Sequence, residues 1–207
     1  AINYWASTGE YEPPFLERIV ALTYLLVGGE YIWIARIYNA LLWIIGGAAL
    51  FVLARRGTGS LTSALVTLAY YLILPFSVQA SRSFQPDPGM VMWLVLFALA
   101  IYRWSEEWRS GGIRQLSASS WKWSILAGIF AGLSVLTKAI AAYTIAVTAV
   151  SIVLYTVIHE YHQSAKNTPA TRISPILQIP LTILRCPQIW VMALFMVVPS
   201  GFFYLTQ

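Results

Sequence analysis

Ser81-Arg82-Ser83-Phe84-Gln85-Pro86-Asp87-Pro88 is a charged, proline-containing link between two strongly apolar runs, Leu61 to Gln79 and Gly89 to Arg103. Each proline removes a backbone donor and biases the residue before it toward extended geometry, so the pattern predicts a tight turn rather than a continuous helix. If the flanking runs cross a bilayer, Arg82 and Asp87 lie at its surface. A turn needs neither charge, and charge against the hydrocarbon edge is costly and tends to mark function. The bland alternative is a capping turn with a snorkelled arginine.

Composition supports the bilayer. Of 207 residues, 58% are hydrophobic and only 10% charged, and the mean hydropathy is +0.68, too apolar for a soluble domain of this length. The expected fold is all-α: a single membrane domain over residues 1–207, built as a polytopic transmembrane helix bundle of about six spans. The net charge of +5 is read as topological signal rather than as a nucleic-acid surface. The lone cysteine, Cys186, excludes an internal disulfide and a multi-cysteine metal site. The chain opens at Ala1 with neither a leader nor a first span, and is expected to be a fragment.

Residues 1–30 carry Glu10, Glu12, Glu17 and Glu30 against Arg18 and form an expected external loop. Within it Phe15, Ile19, Leu22 and Leu26 recur at helical spacing after Pro13-Pro14, and Gly28-Gly29 ends the run, which predicts a short interfacial helix. The expected spans are Ile32 to Ala54, Leu61 to Gln79, Gly89 to Arg103, Trp121 to Thr137, Ala139 to Ile158 and Gln188 to Thr206. Gly128-x-x-x-Gly132 in the fourth reads as a close helix contact. The tryptophans at 104, 108, 121, 123 and 190 read as interfacial belts. Residues 159–187 form an expected cytoplasmic loop, in which His159 and His162 mark a helix end more than a metal site.

Summed over alternate loops, nine of the 13 basic residues fall on one side: Arg55, Arg56, Arg103, Arg109, Arg114, Lys122, Lys166, Arg172 and Arg185. The positive-inside rule assigns that side to the cytoplasm. Arg82, Lys138 and five of the eight carboxylates (Glu10, Glu12, Glu17, Glu30 and Asp87) then face outward. Acids beside isolated cations suit a substrate that has a phosphate and a group to be deprotonated. Such a substrate calls for a carboxylate to accept the proton and cations to hold the phosphate. Glu10, Glu12 and Asp87 are the candidate catalytic acids, and Arg82 and Lys138 the candidate phosphate ligands. Lys138 has a second reading as a snorkelled lysine at a helix C-terminus.

In their order, Tyr11-Glu12-Pro13-Pro14, Ala35-Arg36-Ile37-Tyr38-Asn39-Ala40, Ser81 to Pro88 and Gly132-Leu133-Ser134-Val135-Leu136-Thr137-Lys138 resemble the GT-C type polytopic glycosyltransferases. The similarity is to the protein O-mannosyltransferase and lipid A aminoarabinose transferase superfamily, and it covers the chain as that family's second to seventh spans. The resemblance implies a membrane enzyme that moves a sugar from a polyprenyl-phosphate donor in the lipid to a protein, lipid or glycan acceptor. It implies a prokaryotic plasma membrane with the site facing outward. It also implies a catalytic acid upstream of Ala1, so residues 1–207 are expected to be inactive alone. Glu12 resembles an acid of the aminoarabinose branch, for which a divalent metal ligand role is one option, while Pro13 replaces that branch's usual lysine.

The alternative class is a transporter or flippase for a lipid-linked or anionic substrate. Transporters place polar groups at the bilayer midplane, whereas here they gather at one surface. No nucleotide fingerprint appears, so a nucleotide-sugar donor is not supported.

Overall fold

A computed structural model describes residues 14–111, 117–167 and 182–206. Among these the secondary structure is helical throughout: α1 (Phe15–Val27), α2 (Ile32–Thr58), α3 (Leu61–Ile73), α4 (Pro75–Arg82), α5 (Asp87–Gly111), α6 (Ala118–Thr137), α7 (Ala141–Asn167) and α8 (Pro187–Thr206). The fold is the expected polytopic helix bundle. Glycines stop α1 and α2: Gly28 (φ 78°) and Gly59 (φ 68°) take the left-handed conformation, which costs them little because they lack a Cβ. Ser60 and Ser117 start α3 and α6, each accepting a hydrogen bond from the backbone N–H three residues on.

Three helices are long and apolar enough to cross a membrane: α2, the Asp87–Ser110 part of α5 and the Ala141–Gln163 part of α7. The apolar Leu61–Ile73 and Pro187–Gly201 are shorter. The expected span Leu61 to Gln79 is divided. Pro75 has no N–H to continue the ladder and holds Leu74 extended (φ −50°, ψ 133°), so α4 starts afresh. The link expected over residues 81–88 is also shorter, because α4 runs through Arg82 and α5 begins at Asp87. Pro88 is tolerated there because a first-turn residue needs no intrahelical N–H bond. Helix α7 continues to Asn167, past the expected loop start at residue 159.

Helix α6 is the hub, packed against α5, α7 and α8, while α5 also meets α2 and α7. Its buried face is built from small residues: Ser120, Ser124, Ala127, Gly128, Ala131, Gly132 and Ser134. A Cβ added at Gly128 would lie 2.6 Å from the Met192 carbonyl oxygen, and one at Gly132 would lie 2.9 Å from that of Phe195. The expected close contact therefore exists, and its partner is α8. The core itself comes from Phe97, Ile101, Trp104 and Trp108 of α5 with Ile145, Val153 and Val157 of α7 and Met192 of α8.

Trp104 and Trp108 correct the belt reading. Both are buried, Trp104 completely. Trp104 Nε1 donates to Gln188 Oε1 (2.7 Å), which also accepts from Ser120 Oγ (2.9 Å), and Trp108 Nε1 donates to Glu160. These bonds satisfy polar groups inside the bundle, where lipid offers no partner. Outward faces are apolar instead, with Leu41 and Ile44 of α2, Val147 and Val150 of α7, and Leu194 and Val197 of α8 exposed. Such faces suit hydrocarbon, not water.

The Gly128 contact gives a stability test. Gly128→Ala is expected to cost about 1–3 kcal/mol, the range for overpacking where backbone must shift. Gly57→Ala, where an added Cβ meets nothing within 4 Å, is expected to be neutral. Thermal melts of the detergent-solubilised variants check this, and equal melting temperatures would remove the α6–α8 contact from the account.

Candidate active site

The antiparallel run of the helices gives the bundle two polar ends. At one end Arg56 pairs with Glu106 (3.2 Å), which also takes Arg103 (3.0 Å), and Ser119 donates to Glu107. Cys186 is buried near this end, and desolvation raises its thiol pKa, with nearby Glu160 adding to the effect. The thiol stays protonated and is a poor nucleophile. Among the described residues no three His, Cys, Asp or Glu side chains come together as a metal site.

The opposite end holds the candidate site. Helix α5 starts and α6 stops there, side by side: a Cβ added at Gly89 would lie in ordinary contact with Thr137 Cγ2, at 3.6 Å. Ser134 Oγ donates to the Met90 carbonyl (3.1 Å) across the same junction. Lys138, the C-cap of α6, then reaches Asp87 in the first turn of α5, with Nζ 3.0 Å from Oδ1. Each charge also suits its own helix end, a cation at a C-terminus and an anion at an N-terminus. The side chains are 31% and 22% exposed, so the pair is part-buried and still open to a ligand.

The link between α4 and α5 is clamped from α2. Asn39, fully buried, donates through Nδ2 to the Ser83 carbonyl and to the Gln85 carbonyl (3.1 Å). These are the residues just before Asp87, so α2 fixes the approach to the ion pair. Helix α1 docks at this end too, through a 2.8 Å hydrogen bond between Thr23 Oγ1 and Tyr38 OH. It buries Leu16 and Val20 and leaves Leu22, Leu25 and Leu26 exposed, as expected of a helix in an interface plane.

Of the five candidate site residues, two meet: Asp87 and Lys138. Arg82 is exposed at the end of α4, and among the described residues no carboxylate forms an ion pair with it. Glu10 and Glu12, including the metal role considered for Glu12, lie outside the described residues. Sequence reasoning did not single out Asn39 as a site residue. A fully polar amide within an apolar run was the available signal.

A helical bundle with lipid-compatible faces, small-residue packing and ion-paired polar ends defines an integral membrane protein of polytopic type. Residues 2–199 match the model of the dolichyl-phosphate-mannose-protein mannosyltransferase family. The chain belongs to that family, and is thus a membrane glycosyltransferase of the GT-C type rather than a transporter. No curated protein and no solved structure matches the chain.

Proposed function

We propose that this protein transfers mannose from a dolichyl- or other polyprenyl-phosphate carrier to a protein hydroxyl, at the end of the bundle that carries Asp87 and Lys138. The observation behind the location is the part-buried ion pair, 3.0 Å long, at the junction of α5 and α6. Family membership supports the donor and acceptor classes.

In this reading Lys138 is the donor-phosphate ligand and Asp87 its partner in the resting protein. A carrier phosphate entering beside the pair competes with the carboxylate for the ammonium group. As the acceptor oxygen bonds to the anomeric carbon, the bond from that carbon to the phosphate oxygen breaks and its electrons leave with the phosphate. Lys138 stabilises the extra negative charge, and a charge-assisted contact of this kind is strongest where charge develops. The acceptor hydroxyl's proton passes to a carboxylate. Asp87, released from the lysine by the phosphate, is the acid among the described residues that stands in reach of the same point, with Glu10 and Glu12 as the other candidates. Arg82 supplies a further cation near the link.

Activity of the full-length enzyme tests these roles. Lys138→Gln is expected to weaken donor use by about 1.5–3 kcal/mol, the value of a hydrogen bond to a charged group, while Lys138→Arg keeps part of it. Asp87→Asn is expected to lower the transfer rate tenfold or more, about 1.4 kcal/mol in the barrier. Wild-type rates for both neutral variants at equal expression would remove the pair from the site.

The basic asymmetry supports an outward-facing site, with the Arg56 and Arg103 end in the cytoplasm, and the membrane proposed is a prokaryotic plasma membrane. In a Cys186→Ser background, Ser83→Cys is expected to react with an impermeant thiol reagent in intact cells and Ser117→Cys to stay protected. The reverse pattern would move the site to the cytoplasmic face.

A further inference from the structure

Among the described residues, two buried side-chain polar atoms have no hydrogen-bond partner: Asn39 Oδ1 and Trp43 Nε1. Both residues lie on α2 and are at most 5% exposed. They are four positions apart, so they share a helix face with Cβ atoms about 5–6 Å from each other. Neither group is free to turn elsewhere. Flipping the Asn39 amide would give up both Nδ2 bonds, to the Ser83 and Gln85 carbonyls. The Trp43 indole is stacked on Tyr71, with ring centroids 4.4 Å apart and planes 11° from parallel, and the Tyr71 hydroxyl donates back to the Trp43 carbonyl.

We infer that Asn39 Oδ1 and Trp43 Nε1 together hold one hydroxyl group, whose hydrogen is donated to the amide oxygen and whose oxygen accepts from the indole N–H. The chemistry is selective. An anion has no hydrogen for Asn39 Oδ1, a metal cation has no lone pair for the indole, and a hydroxyl has both. A bridging oxygen would lie about 2.8–3.0 Å from each atom. The group is either water or an alcohol of a bound ligand, and these share the same hydrogen-bonding pattern. Because Asn39 also grips the link before Asp87, this hydroxyl joins the Trp43–Tyr71 stack to the segment that carries the ion pair. The site does not depend on the transfer reaction.

The test is nuclear magnetic resonance of the detergent-solubilised protein with nitrogen-15 in the tryptophan indoles, using Trp43→Phe to assign the Trp43 N–H signal. If the group is water, the ligand-free protein shows magnetisation transfer from a bound water to the Trp43 indole proton, which exchanges slowly with solvent. If it is a ligand alcohol, the transfer appears only after a polyprenyl-phosphate mannose is added, and comes from a hydroxyl of that molecule. In either case Asn39→Leu is expected to abolish it. A Trp43 indole proton with no hydroxyl neighbour in either state overturns the inference from the wild-type protein alone. A signal that persists unchanged in Asn39→Leu overturns Asn39 as the second ligand.

Discussion

An ammonium group at the rim of a hydrocarbon layer needs a counter-charge, and Lys138 finds one in Asp87. The two residues are 51 apart in the chain, so the pair forms only when α5 and α6 run antiparallel in one register. That register is tied at the same junction by the hydrogen bond from Ser134 to the Met90 carbonyl. Removing either partner would leave a part-buried charge unpaired, which costs more than the pair itself contributes. A structural ion pair and a ligand site are compatible here. Both side chains keep some exposure, and a phosphate brings the same charge that the carboxylate supplies.

Helix α6 carries the rest. Its glycines admit the backbone of α8, and its serines bond across to Gln188. Lipid cannot satisfy polar groups inside a membrane bundle, so they turn to one another. The Trp104, Ser120 and Gln188 triad does this at one end, and Asn39 Nδ2 does it at the other. The polar ends thus hold the helices in place along their axes, while apolar side chains fill the space between them. In the proposed reaction a carrier lipid would approach from the apolar flank and present its phosphate at the helix ends that carry Asp87 and Lys138.

Helix identity was legible in the chain wherever an apolar run was long, since each of the six runs is helical in the structure. Boundaries were less legible. Pro75 lies inside a run whose hydropathy hides the break, and Pro88 looked like a stop although it sits in the first turn of α5, where proline is permitted. Asp87 and Lys138 could each be picked out as charges beside apolar runs. Their pairing could not, because it rests on a tertiary register that no local pattern encodes. Trp104 and Trp108 were assigned to the interface because tryptophan favours it; their burial follows from Gln188 and Glu160 supplying indole acceptors inside the bundle. Asn39 stood in one of the stretches that carry the resemblance but had no role of its own, because a short amide raises no charge signal and its value lies in two carbonyls 44 and 46 residues away.

The claim that Asp87 and a donor phosphate compete for Lys138 can be tested by one equilibrium measurement, the affinity of the full-length Asp87→Asn variant for a polyprenyl phosphate. With the competing carboxylate neutralised, the lysine is available to the phosphate, and binding tighter than that of the wild type is expected even though transfer is slowed. Binding weakened as severely as by loss of the lysine would contradict the exchange and leave the pair as a structural tie between α5 and α6.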